Sequence, residues 1–200
     1  AIPAFGGKAS HYSILARTEG VVTPKAFAIP VYYYVQFMEQ NGFFEQVRAL
    51  QDDEAFRSDP AVRDARLAEL RDAMMLAPVS EELQDLLRDK LEEYTEQRIR
   101  FRTSTNSEDL EGFPCAGCYE SHTGDRADWN DVLDAIRETW ASIWLFRTFE
   151  ERSYYGIDHK SVGMALLVHH NFPDEEANGV ATTNNPFDPS GLEPAFYVNV

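Results

Sequence analysis

The sequence predicts an α+β fold: a helix-rich first half, then a mixed or antiparallel sheet that takes shape in the last third. Three observations carry that prediction. Leu83, Leu87 and Leu91 recur every four residues within a charged stretch, one apolar stripe on a helical surface. Arg98-Ile-Arg-Phe-Arg102 alternates cationic and apolar side chains at the period of a strand. Beyond residue 160, apolar runs at 162–168, 179–183 and 196–200 are separated by turn formers, an antiparallel pattern.

Composition bounds the reading. With 200 residues, 44% of them hydrophobic, the chain suits one sizeable domain or two small lobes. Its 34 acidic against 18 basic residues give a formal charge of -16. Such a surface repels nucleic acid and anionic lipid, so neither is an expected partner. Two cysteines are too few for a disulfide-dense secreted scaffold, and a reducing, cytoplasmic setting is expected. No apolar run approaches the ~18–20 residues of a membrane span, and the start lacks a charged-then-apolar signal pattern. The first residue is not Met and the last six alternate like a strand, so a fragment of a longer protein is expected.

Taken in order, Phe5-Gly-Gly-Lys8-Ala-Ser10 opens onto a helical pattern running to about Arg17. Two glycines and a lysine at a helix start favour a phosphate, although a plain turn before a helix has the same composition. It is not a Walker A loop, because no Ser or Thr directly follows Lys8. Residues 21–24 and 26–30 read as short extended pieces cut by prolines. A helix follows Pro30, with Tyr32, Tyr33 and Tyr34 fanning around it, and stops at Asn41-Gly42. Residues 43–94 read as helical scaffold broken at Asp59-Pro60 and Ala77-Pro78, with Ser80 as a cap before Glu81 and Glu82.

The Arg98–Arg102 alternation leads into Thr103, Ser104, Thr105, Asn106 and Ser107, small polar residues that favour local hydrogen bonds over regular structure. Arginine forks beside such a loop make a cradle for an anion; a solvated edge strand paired with nearby acids is the plainer alternative. Cys115 and Cys118 in Cys-Ala-Gly-Cys read as coincidental thiols, a redox pair or half of a metal site, and no second cysteine pair exists to complete zinc ligation. A long helix from Asp128 carries Val132, Ile136, Trp140, Ile143 and Trp144 on one side and fades at Tyr154-Tyr155-Gly156. The apolar run 162–168 suits a strand buried on both faces. The rings of His169 and His170 on that strand would point to opposite faces, so they do not form a chelating pair.

Three separated pieces together resemble a known family. Gly6-Gly-Lys8-Ala-Ser10, Arg102-Thr-Ser-Thr-Asn-Ser-Glu-Asp-Leu110, and Gly179-Val-Ala-Thr-Thr183 with Asn185-Pro186 resemble the amino-terminal nucleotide-binding domain shared by phosphoenolpyruvate synthase and pyruvate phosphate dikinase. Gly156-Ile-Asp-His159 and the strand after it resemble the approach to that family's adenine hinge. The resemblance implies an ATP-grasp-like fold truncated at its C-terminus. Residues 1–125 would form a first lobe and residues 126–200 a long helix with the start of an incomplete second lobe. It implies ATP and Mg2+ as cofactors, with Lys8 and Arg102 on the phosphates. Thr103, Ser104 and Thr105 would lie against those phosphates through backbone N–H and hydroxyl donors. Val168, His169, His170 and Asn171 would read adenine largely through main chain.

In that family a phosphoryl group passes to a histidine on a separate domain and onward to an acceptor. The phosphohistidine and acceptor-binding domains of the same protein are therefore the implied partners, and this stretch alone would not turn over. His169 stands where the family usually carries Gln. No metal ligand is assigned: the residues that complete the magnesium site would lie at or beyond Val200, with Asp188 and Glu193 the nearest candidates. The same domain would also serve another acceptor, as in a glucan water dikinase-like or rifampicin phosphotransferase-like enzyme, or persist as a non-catalytic interaction module.

Overall fold

The computed structural model describes residues 1–107, 117–183, 185–188, 190, 193 and 195–200. Glu108, Asp109, Leu110 and Cys115 lie outside the described residues, as does part of the turn expected at 184–191. The chain begins with α1 (Ile2–Leu15), β1 (Ala26–Ile29) and α2 (Val31–Gln40). Four helices follow: α3 (Phe43–Asp52), α4 (Glu54–Ser58), α5 (Pro60–Leu76) and α6 (Glu81–Glu92). Next come β2 (Arg98–Thr105), β3 (His122–Asp125), α7 (Trp129–Ala141), a 3-10 turn at Ser142–Trp144, α8 (Phe146–Tyr154) and β4 (Met164–His170). A separate two-stranded sheet of β5 (Val180–Thr182) and β6 (Tyr197–Asn199) ends it. Mixed helix and antiparallel sheet is the predicted α+β class.

The main sheet has the order β1-β4-β2-β3, all antiparallel. It draws strands from both sides of residue 125. β4 is central because its apolar run gains most from burial on both faces; Met164 to His169 are all buried. One face of the sheet, carrying Ile99, Phe101, Leu166 and Val168, packs into a core with Tyr34, Phe37, Ile136 and Trp140. The tyrosines fan as expected: Tyr34 is buried and Tyr32 exposed.

Several boundaries differ from the sequence reading, each for a local reason. Thr103, Ser104 and Thr105 are strand rather than loop, because Leu166, Ala165 and Met164 pair with them and buried main chain must be hydrogen-bonded. β2 is consequently internal, between β4 and β3, and not an edge strand. Residues 21–24 form no strand. The long helix from Asp128 is interrupted at Leu145, whose ψ of 139° is extended, so its second half is a separate helix, α8. The helical scaffold has a further break at Asp53, whose carboxylate caps α4 through Phe56 N–H. Ser80 precedes α6 but makes no side-chain cap. β5 pairs with β6 and not with β4. Cys118 is disulfide-bonded, which sets aside coincidental thiols and half of a metal site among the three sequence readings: a low cysteine count argues against a disulfide-dense scaffold, not against a single bond.

Candidate functional site

The site is built where α1 meets β2. The Ser104 hydroxyl donates to the Phe5 carbonyl at 2.7 Å and accepts from the Ala9 N–H at 2.9 Å, so it is held on both sides of a break in α1. The break is at Gly6, with φ 69° and ψ 176°, a conformation essentially reserved for glycine. A Cβ on Gly6 would stand 2.0 Å from the Ser104 carbonyl oxygen. This close approach explains the Gly-Gly pair better than a turn does. It also carries Lys8 to the sheet, where its Nζ donates to Thr103 Oγ1 at 3.4 Å.

Alternation along β2 places Arg98, Arg100, Arg102 and Ser104 on the face that α1 covers in part. The register sets His169 opposite Arg100 and Leu167 opposite Arg102, so these side chains share that face. Arg102 is exposed, while Arg100 is half-buried and donates from Nη1 to Thr123 Oγ1 at 3.0 Å. Burial, and then Arg102, pushes the Arg100 guanidinium down from its usual pKa, although a guanidinium stays charged. An acidic protein has thus gathered three arginines on one face, and Lys8 reaches Thr103, the neighbour of Arg102 in β2. A hollow of about 390 Å³ on this face is lined by Ala9, Tyr12, Ala26, Ala28 and Leu167. A larger one of about 630 Å³ lies by Gln97, beyond the Arg98 end of β2. There Arg126 spends its guanidinium on the Leu91 and Thr95 carbonyls, and neither hollow is lined by Lys8, Arg100 or Arg102.

His169 is buried, and its pKa is lowered first by that burial and also by Arg102, His170 and Arg100. Nδ1 lies 2.6 Å from the His170 carbonyl. A carbonyl only accepts, so the proton sits on Nδ1 and leaves Nε2 as an acceptor in the neutral ring. The main chains of Val168 and His169 are flanked by β1 and β2, and the Val168 side chain faces the core. The Asn171 N–H donates to the Arg98 carbonyl at 2.8 Å. His170 and Asn171 lie past the last pair with β1, that of Ala26 with His169.

The structure corrects the idea of an amide cradle. Thr103 N–H donates to Ser121 Oγ at 3.1 Å, Asn106 N–H to the Gly163 carbonyl at 3.3 Å, and Ser107 N–H to Thr105 Oγ1 at 3.4 Å. The Ser104 hydroxyl has given its one proton to Phe5. An anion here would be met by side-chain cations rather than by loop amides, because pairing with β4 has drawn the loop into the sheet. Among the described residues no group of three His, Cys, Asp or Glu is placed to hold a metal. Asp188 accepts from the Ser190 and Glu193 N–H groups, and Glu193 from Asn185 Nδ2, so both sit in a local turn.

Two features escaped the sequence reading. Asn106 binds the segment before β4 three times: N–H to the Gly163 carbonyl, Oδ1 from Gly163 N–H at 2.9 Å, and Nδ2 to the Ser161 carbonyl at 2.9 Å. Arg152, flanked by Glu151 and Ser153, has the sequence context of a solvated helix face, yet it is 0% exposed. No local periodicity signals either one.

The AMP/ATP-binding domain family of pyruvate phosphate dikinase matches residues 2–198. The chain is 22% identical to phosphoenolpyruvate synthase of Aeropyrum pernix over 191 residues, covering 92% of this chain and 23% of that protein. A probable phosphoenolpyruvate synthase of Methanothermobacter thermautotrophicus is 28% identical over 190 residues, covering 90% and 27%. Rifampicin phosphotransferase of a Streptomyces species is 25% identical over 188 residues, covering 90% and 21%. The chain therefore spans about a quarter of the length of these relatives.

Proposed function

The chain belongs to the AMP/ATP-binding domain family of pyruvate phosphate dikinase, and from that premise we propose that it holds Mg-ATP on the cationic face of its main sheet. ATP would be positioned there for phosphoryl transfer to a histidine on another domain of a longer, dikinase-like phosphotransferase. The observation that carries this reading is the convergence of Lys8 on Thr103, beside Arg102, through the helix break at Gly6. Lys8 and Arg102 meet the phosphates and neutralise charge on the transferred group. Ser104 lies beneath it on that face, and Thr103 and Thr105 flank it from the same strand. His169, His170 and Asn171 lie at the end of β4 where the base would sit, with Val168 behind them in the core. The adenine amino group is a donor that suits the neutral His169 Nε2 acceptor.

An ATP-grasp-like arrangement of two lobes, with residues 1–125 in the first and the second beginning after residue 126, is part of this proposal. So is a cytoplasmic setting; no helix among the described residues is long and apolar enough to cross a membrane. No residue of this face is assigned as a magnesium ligand; a bound magnesium ion would supply further neutralisation of phosphate charge. The acceptor is that of a phosphoenolpyruvate synthase in the first reading. A rifampicin phosphotransferase-like acceptor is the second, favoured by the similarity of such an enzyme over 90% of this chain.

The test is a thermal-shift titration of the full-length protein with Mg-ATP, beside its Arg102→Ala variant. Ligand at a hundred times its dissociation constant adds about 2.7 kcal/mol, or roughly 5–10 °C for a domain of this size. A shift in the wild type that Arg102→Ala removes is the expected result. An equal shift in both proteins would refute the placement of phosphate on this face.

A further inference from the structure

Behind the cationic face lies a buried charge that the proposed nucleotide site does not itself use. Arg152, on α8, donates from Nε to His159 Nδ1 at 3.1 Å. Because Nδ1 accepts, the His159 proton is on Nε2, which lies 3.2 Å from Ser153 Oγ. The imidazole is stacked on Phe149 at 3.8 Å with an interplanar angle of 3°, and the guanidinium sits 5.6 Å from the Trp144 ring. Nη1 and Nη2 find no hydrogen-bond partner. Burial pushes the guanidinium pKa down, while Tyr119, as a hydrogen-bonding neighbour of less than ordinary geometry, and Tyr34 oppose that shift.

A buried guanidinium whose two terminal nitrogens are poorly satisfied is expensive, and an apolar side chain of similar volume would usually serve stability better. Departures of this kind concentrate at sites whose geometry matters. Two paths lead from Arg152 to one place. Through His159 it fixes the turn in which Lys160 N–H and Ser161 N–H bind Asp158, and that turn leads to Ser161 and Gly163, the partners of Asn106. Through Tyr119, whose hydroxyl is 3.3 Å from Ser107 Oγ, it reaches the next residue. Gly163 itself has no slack, since a Cβ there would stand 2.3 Å from Val31 Cγ1. Asn106 and Ser107 directly follow β2, four and five residues from Arg102.

We propose that Arg152 is a positioning residue: with His159 and Tyr119 it anchors Asn106 and Ser107, and so sets the end of β2 that presents Arg102 and Thr103 to the nucleotide. The consequence for ATP rests on the function proposed above; the anchoring does not. Both are read in the full-length protein carrying Arg152→Met, Tyr119→Phe or Asn106→Ala, the last two being mild enough to keep the fold if Arg152→Met does not.

Amide hydrogen exchange without nucleotide should rise at least tenfold at residues 104–107 in each folded variant, with the centre of β4 unchanged. Mg-ATP affinity by calorimetry should fall about five- to twentyfold in each folded variant, including Tyr119→Phe, whose thermal midpoint moves little. A purely structural role would lower the midpoint and leave the affinity of the folded protein intact. Unchanged exchange at 104–107 overturns the anchoring, whatever the affinities. Raised exchange with affinities within twofold of wild type overturns the effect on nucleotide. Raised exchange in a protein whose wild type binds no ATP supports the anchoring and overturns the nucleotide reading.

Discussion

Replacing Gly6 with alanine separates two physical costs that the structure superimposes there. The first is conformational: φ 69° with ψ 176° lies in a region that costs a side-chain-bearing residue about 1–3 kcal/mol. The second is steric. The new Cβ would stand 2.0 Å from the Ser104 carbonyl oxygen and 2.3 Å from its carbon, both backbone atoms. Relief requires α1 and β2 to part by about 1.4 Å or more before an ordinary contact distance is reached. That movement stretches the bonds from Ser104 Oγ to Phe5 and from Ala9 to Ser104 Oγ, each contributing about 0.5–1.5 kcal/mol. The sum is roughly 2–6 kcal/mol. Gly42 supplies the control, because its φ is 70° and nothing lies within 4 Å of a Cβ built on it; Gly42→Ala should cost only the left-handed penalty of about 1–2 kcal/mol. Urea unfolding of the two variants and the wild type measures both, with a common slope showing that the denatured state is unchanged. Equal costs for Gly6→Ala and Gly42→Ala would refute the close approach of α1 to β2, and with it the reason Lys8 reaches Thr103.

Burial, and then Arg152, lowers the His159 pKa from 6.5 to about 4. Between those values the unfolded chain binds more protons than the folded one, so stability is full above pH 6.5 and is lost as pH falls towards 4. The total is about 3 kcal/mol. His159→Gln should flatten that slope in chemical denaturation measured from pH 4 to 7, and an unchanged slope would assign the acid lability elsewhere. Gly163→Ala meets only the Val31 side chain. It should destabilise by about 1–3 kcal/mol, with Val31→Ala recovering part of the loss; strict additivity of the two in a double-mutant cycle would deny the contact. Asp128 caps α7 through Asn130 N–H at 3.0 Å, so Asp128→Ala should cost about 1 kcal/mol in urea unfolding, and no change would mean the cap is idle.

The sequence by itself determined which surfaces are apolar and at what period. Leu83, Leu87 and Leu91 on α6, the alternation from Arg98 to Arg102, and the apolar run of β4 are all patterns of near neighbours, and near neighbours are what periodicity records. It also determined the family, because the lysine, arginine and glycine motifs stand in order along the chain. Tertiary structure alone decided which strand lies beside which. Thr103, Ser104 and Thr105 look like a loop in isolation and become strand because β4, some sixty residues later, offers them main-chain partners. Contact between Gly6 and Ser104 spans nearly a hundred residues, and the sequence carries the glycine but not the surface it must approach. Arg152 shows the same limit from the other side. A guanidinium beside two glutamates reads as solvated, and only the packing of Phe149, Trp144, His159 and Tyr119 around it makes it a buried charge. Local pattern fixes what a segment prefers; desolvation and pairing with distant segments decide what each group finally touches.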